Sequence, residues 1–178
     1  VSYIVPYDPV AVGSVANSQG GNTLVREGDW LYSGGVGGGH EWINRGDCLL
    51  LQNKSSGPVP DTATSSVRVS HIFDPTISRD YQFEGNVRDI VVYGDYLIVA
   101  LGRGGLDIVH RHQPEIRRHL ALAAPLQETG DSGVRLRRTG NVLFVSGDPG
   151  LTVVDITDPL QPTIVSAGNS EPIAAVDI

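Results

Sequence analysis

The chain is built from short apolar runs separated by polar, glycine-containing turns, and no long helical period connects them. The clearest apolar runs occupy residues 87–92, 96–101 and 106–109. Glycine in the intervening turns permits the positive φ that a tight hairpin needs. The pattern therefore predicts three antiparallel strands joined by short turns, with a fourth strand following at about residues 116–122.

The second and third of these strands are apolar at nearly every position, as in "YLIVAL" at residues 96–101. A strand with one face in water alternates between apolar and polar residues, whereas a strand covered on both faces does not. We therefore expect sheets that stack face against face, as the blades of a propeller do.

The same pattern recurs about 45 residues later in the chain. A period of this size is typical of a four-stranded propeller blade. The matched positions of the two copies are Gly94 with Gly140, Leu97-Ile98-Val99 with Leu143-Phe144-Val145, Gly105-Leu106 with Gly150-Leu151, and Pro114 with Pro159.

A third, more divergent copy precedes these two and begins with the turn Gly28-Asp29. Its third strand is predicted at Cys48–Asn53, after a glycine-rich insertion from Gly34 to about Asp47. The segment "EPIAAVDI" at residues 171–178 resembles "NVRDIVVY" at residues 86–93, which predicts the start of a further copy.

The predicted architecture is all-β and β-propeller-like, with about three to four four-stranded antiparallel blades in one domain spanning residues 1–178. The repeat units are placed at about 22–85, 86–130 and 131–168, with a further unit starting at 169–178.

Three and a fraction units do not close a ring readily, so we expect part of a larger or incomplete propeller. The alternative is that residues 1–15 complete the blade begun by the C-terminal segment. Because the chain starts at Val1 and contains no methionine, we also expect a processed chain or a piece of a longer one.

The motif "GLTVVDITDPLQPTIVS", preceded by "GNVLFVSG", resembles the LVIVD-repeat β-propeller family. The match is good in residues 140–166 and fair in 87–120, where "VHRHQP" stands in place of "VDITDP", and it is weak in 22–72. The resemblance implies a propeller. It also implies an extracellular or cell-surface location, because the family occurs largely in bacterial and archaeal surface and secreted proteins. It specifies no activity, since a fold does not fix function.

The charge and composition of the chain argue against several classes of partner and structure. The net charge of −7 gives no electrostatic reason to bind nucleic acid or anionic lipid. The single cysteine, Cys48, excludes an internal disulfide framework. No apolar run approaches 18 residues, so no membrane span is predicted.

The glycine-rich insertion is the most elaborated loop of the predicted propeller and is read as a flexible excursion at a blade edge. Loops carried on a rigid scaffold often supply binding residues. It contains the tripeptide Arg-Gly-Asp, which we interpret as a turn into the next strand. The candidate binding residues are His40, Glu41, Trp42, Arg45 and Asp47.

If the stretch around His110 and His112 is extended, both histidines share one face, and we interpret the pair as a solvated strand end. They supply two of the four ligands that a zinc site usually needs, so no metal site is assigned. Aspartates in turns, Asp155 with Asp158 and Asp74, leave calcium open as the alternative to no cofactor, although EF-hand spacing is absent.

The favoured function is a non-catalytic scaffold or protein-interaction module of a larger secreted or cell-surface protein. A partial propeller exposes apolar blade faces, so a protein partner or self-association is expected. Two alternatives stay open: a hydrolase or lyase with a polar site in the blade loops, and a structural subunit that assembles through its blade faces. The "GDSG" at residues 130–133 resembles a serine protease loop, but we interpret it as a turn between blades.

Overall fold

A computed structural model describes residues 23–35, 40–45, 48–53, 64–74, 76–102, 105–122, 134–147 and 150–168. These residues form three four-stranded antiparallel sheets and one two-stranded hairpin, and they contain no α-helix. The prediction of an all-β fold built from propeller-like blades is therefore confirmed.

The first sheet is interrupted in sequence by a separate hairpin. Its strands, in spatial order, are β1 (Thr23–Glu27), β2 (Trp30–Gly35), β5 (Thr64–His71) and β6 (Ser78–Glu84). The hairpin consists of β3 (His40–Arg45) and β4 (Cys48–Asn53), which lie between β2 and β5 in sequence and pair with each other.

The assignment of Cys48–Asn53 as the third strand of this unit is wrong. The strand beside β2 is β5, with Tyr32 opposite Val69. An apolar run shows that a segment can form a strand, but it does not show which strand it pairs with. The signal that marks the correct strand is the Asp74-Pro75 pair just after β5, which matches Asp158-Pro159 after the third strand of the last unit.

The second and third sheets are simple meanders, in which the order along the chain is also the order in space. The strands predicted at 87–92, 96–101 and 106–109 are confirmed to within one residue at each end. The second sheet contains β7 (Val87–Tyr93), β8 (Tyr96–Leu101), β9 (Gly105–His110) and β10 (Arg117–Leu120). The third contains β11 (Arg135–Thr139), β12 (Val142–Gly147), β13 (Gly150–Asp155) and β14 (Thr163–Ala167).

The second sheet is covered on both faces, as its uniformly apolar strands predict. Along β8, Leu97, Val99 and Leu101 belong to one buried cluster with side chains of the first sheet. The intervening Ile98 and Ala100 belong to a second cluster with side chains of the third sheet. Each fully buried side chain of leucine or isoleucine size contributes about 1.5–3 kcal/mol, so burial on both faces of β8 stabilises the contact of the second sheet with both of its neighbours.

One buried carboxylate joins the first strands of all three sheets. The Thr23 hydroxyl of β1 donates to Oδ1 of Asp89 on β7 at 2.8 Å. The backbone N–H of Leu136 on β11 donates to Oδ2 of Asp89 at 2.7 Å. The N–H of Ile90 also donates to Oδ1, at 2.9 Å. Asp89 is 8% exposed, so this carboxylate is largely shielded from water and links the three strands by hydrogen bonds.

Candidate functional site

Each sheet ends its third strand in the same way. The residue after the strand donates its backbone N–H to a carbonyl in the turn between the first two strands. The three bonds are Ile72 to Asp29 at 2.9 Å, Arg111 to Asp95 at 2.7 Å, and Ile156 to Asn141 at 2.8 Å. Arg111 therefore occupies, in the second sheet, the position that isoleucine occupies in the other two.

This difference changes how neighbouring sheets pack. Ile156 is fully buried in the cluster between the second and third sheets. The guanidinium of Arg111 instead lies 5.2 Å from the ring centre of Tyr32 on the first sheet. Its Nη1 is 2.7 Å from a carboxylate oxygen of Glu27 and donates to the carbonyl of Gly94 at 3.0 Å. A planar cation held in this way cannot fill space as an isoleucine does.

A cleft of about 230 Å³ opens beside Arg111, between the first and second sheets. Much of its wall is aromatic or aliphatic, and Trp30, Tyr32, Val69 and Tyr81 contribute to it. Ile77, which is 50% exposed, also lines the cleft. The cleft thus combines an apolar surface with access to solvent.

The polar groups of the cleft converge on the backbone of Arg111. Its carbonyl accepts hydrogen bonds from the Tyr81 hydroxyl and from Nη1 of Arg79, the latter at 3.2 Å. Burial raises the pKa of the Tyr32 phenol to about 12, against the lowering effect of the Arg111 charge, so this phenol stays neutral at neutral pH. The described lining therefore presents two guanidinium groups beside an apolar wall.

The structure places four of the five predicted binding residues on one strand. His40, Glu41, Trp42 and Arg45 lie on β3, which pairs with β4, and Asp47 lies outside the described residues. The insertion predicted as a flexible excursion is therefore, from His40 onward, largely a hairpin. That these residues bind a partner stays a prediction.

His110 and His112 do not lie on one extended strand, so the condition for a shared face is not met. The strand ends at His110, and Nδ1 of His110 accepts the backbone N–H groups of His112 and Gln113 at 3.2 and 3.1 Å. An Nδ1 that accepts these bonds has its lone pair occupied and cannot also coordinate a metal. The described residues contain no group of three or more potential metal ligands.

The turn aspartates bind their own turns. Oδ1 of Asp155 accepts from the backbone N–H and the hydroxyl of Thr157, and these bonds lower its pKa. Asp158 accepts the N–H of Leu160 at 3.0 Å. His110 stands in the place of Asp155 in the second sheet and accepts the corresponding N–H. This shared capping explains why the second repeat keeps its turn without the aspartate.

Two segments of the chain match the LVIVD repeat, at residues 84–110 and 136–169. They contain the first three strands of the second sheet and most of the third sheet. A search of curated proteins found no match. Within the described ranges, the chain has no helix of the length and apolarity needed to cross a membrane. The two matched segments confirm the resemblance to the LVIVD-repeat family that the motifs in residues 87–120 and 140–166 indicated.

Proposed function

We propose that this chain is a non-catalytic scaffold of a secreted or cell-surface protein and that it binds protein through the outer face of its third sheet. The LVIVD repeats and the stacked sheets support a scaffold role. The extracellular location rests on the resemblance to this family of surface proteins. Fractionation of the source cells tests the location independently of binding.

The outer face of the third sheet carries this proposal, because it has the chemistry of a blade face that is normally covered. Phe144, Leu151 and Val153 lie on this face and are partly exposed. Their equivalents in the second sheet are fully buried, because the third sheet covers them. These equivalents are Ile98, Leu106 and Ile108, all 0% exposed.

β14, an edge strand of this sheet, carries a further exposed apolar residue, Val165, which is 66% exposed. Apolar side chains and an open strand edge both favour contact with another sheet. The occupant that we propose is a second copy of this chain, because a two-fold contact places the same apolar face on both sides.

The test is sedimentation velocity of the chain and of Phe144→Glu across micromolar concentrations. We expect the unmodified chain to form dimers and Phe144→Glu to remain monomeric, because a charge would be desolvated at the contact. Gln82→Glu adds the same charge at an exposed position of β6 and should still dimerise. A monomeric unmodified chain, or a dimeric Phe144→Glu, would refute the proposal.

The catalytic alternative has one feature in its favour, an exposed pair in which His119 Nδ1 lies 2.7 Å from Asp107 Oδ1 on the second sheet. A carboxylate can orient a histidine for base catalysis. In the described part of the chain, however, His119 contacts no hydroxyl or thiol that could act as nucleophile, and the pair does not line the cleft. We therefore do not propose a reaction.

A further inference from the structure

We propose that the cleft between the first and second sheets is a binding site for a small aromatic carboxylate. The site is separate from the outer face of the third sheet, so this inference does not depend on self-association. It rests on the divergence between repeats at the positions around the cleft, on the charge of the cleft and on its size.

The residues around this cleft differ from those at the equivalent positions between the second and third sheets. Between the second and third sheets, the equivalent positions carry aliphatic residues and one tyrosine. Three of them are fully buried in one cluster, and Tyr96 and Leu120 pack against that cluster while partly buried. Between the first and second sheets, three of these positions carry aromatic rings and one carries arginine. The pairs of equivalent residues are Tyr96 and Trp30, Ile98 and Tyr32, Ile108 and Val69, Leu120 and Tyr81, and Ile156 and Arg111.

The charge of the cleft favours an anion. Arg79 and Arg111 contribute two positive charges, and none of the described residues that line the cleft is acidic. Glu27 offsets one of these charges from outside the lining, by its ion pair with Arg111 at 2.7 Å. The net charge is therefore positive, and a ligand with a single negative charge complements it.

The guanidinium groups retain donors for a carboxylate. Among the described residues, Nη1 of Arg111 contacts the Gly94 carbonyl and the Glu27 carboxylate, and the guanidinium also hydrogen-bonds the Tyr32 phenol. An arginine carries five N–H donors in a planar fork, so these contacts still leave N–H donors for a ligand. Paired N–H donors of this kind fit the two oxygens of a carboxylate.

The size and lining of the cleft indicate which apolar group the ligand carries beside its carboxylate. Pockets for drug-sized ligands span about 300–1,000 Å³, so about 230 Å³ suits a single ring with a short acidic arm. The Trp30 indole contributes to the wall and packs edge-on against His71, with ring centres 5.2 Å apart. Aromatic rings favour edge-to-face and offset contacts with one another, which makes an aromatic ring the preferred apolar group.

The test is a fluorescence titration with 3-phenylpropionate and with its neutral amide. The chain has two tryptophans, so Trp42→Phe leaves Trp30 in the cleft as the only tryptophan reporter. We expect a saturable change with a dissociation constant of about 1 mM, which is typical of so small a ligand. We expect the amide to bind about tenfold more weakly, because it lacks the charge.

Three variants locate the site. Arg111→Ile restores the residue of the other two repeats and should weaken binding of 3-phenylpropionate at least tenfold, and Arg79→Gln should also weaken it. Glu27→Gln should strengthen binding severalfold, because it removes the competing carboxylate. The control is Arg118→Gln, which changes the equivalent of Arg79 on the second sheet and should leave binding unchanged.

The proposal is overturned if 3-phenylpropionate gives no saturable signal at 10-fold excess over the expected dissociation constant. Equal affinity for the amide, or unchanged affinity in Arg79→Gln and in folded Arg111→Ile, would also overturn it. If Arg111→Ile does not fold, Arg79→Gln and Glu27→Gln decide the question by their opposite expected effects. The third-sheet variant Phe144→Glu should bind 3-phenylpropionate normally, which separates this result from that of the dimerisation test.

Discussion

Replacing Asp89 by asparagine should loosen the contact between all three sheets. The carboxylate accepts three hydrogen bonds, from the Thr23 hydroxyl, from the N–H of Ile90 and from the N–H of Leu136. An asparagine keeps the shape of the side chain but has only one acceptor oxygen. Its NH₂ group must then face at least one of the present donors.

The less costly orientation directs the asparagine oxygen at Leu136 and the NH₂ group at Thr23, because a hydroxyl can turn and accept. The N–H of Ile90 then faces a donor and is left without a partner in a site that is 8% exposed. An unsatisfied buried group costs about 1–3 kcal/mol, and hydrogen bonds to a charged group contribute about 1.5–3 kcal/mol. We therefore expect a loss of about 3 kcal/mol in the free energy of unfolding.

Thermal unfolding, followed by circular dichroism at neutral pH, measures this loss. For a chain of this length, about 3 kcal/mol corresponds to a decrease in Tm of roughly 6–12 °C. The matched control is Asp95→Asn, which changes an exposed turn residue to the asparagine that the third sheet has at the same position, Asn141. The control should unfold within about 2 °C of the unmodified chain. A Tm for Asp89→Asn that is equally close to it would refute the role of this carboxylate in joining the sheets.

Two further predictions concern alkaline stability and a backbone contact. Burial raises the pKa of Tyr32 to about 12 from about 10 in the unfolded chain, so its contribution is full below pH 10 and is lost as the pH rises towards 12. Urea unfolding between pH 9 and 12 should therefore show a smaller decrease in stability for Tyr32→Phe than for the unmodified chain, and equal decreases would contradict this. Gly105→Ala should destabilise the chain by about 2–4 kcal/mol, because φ is +85° and the new Cβ would lie 2.5 Å from the carbonyl oxygen of Leu120. Gly28→Ala, also at positive φ but with nothing within 4 Å, should cost only about 1 kcal/mol in the same thermal assay, and equal losses would show that the contact is unimportant.

The strands of the second and third sheets could be predicted from sequence because their signals are local. The turn at Gly94 and the uniformly apolar run at residues 96–101 identify two covered strands without any knowledge of their neighbours. The same reasoning gave a wrong result in the first sheet. The apolar run of β4 was assigned to that sheet, but β4 pairs with β3 in a separate hairpin. Pairing is a contact between distant segments, and a long insertion removes the fixed spacing on which the prediction depended.

The sequence by itself determined the period of the repeat, the all-β class and the burial of the middle sheet on both faces, because each follows from residue type and spacing along a few positions. Only the tertiary structure showed that Asp89 joins three strands and that Arg111 opens a cleft against Tyr32. Both depend on which side chains meet across sheets, and a period of about 45 residues does not specify such contacts. An aspartate or an arginine is compatible with either water or a buried partner, and the surroundings that decide between them are assembled only when the sheets pack.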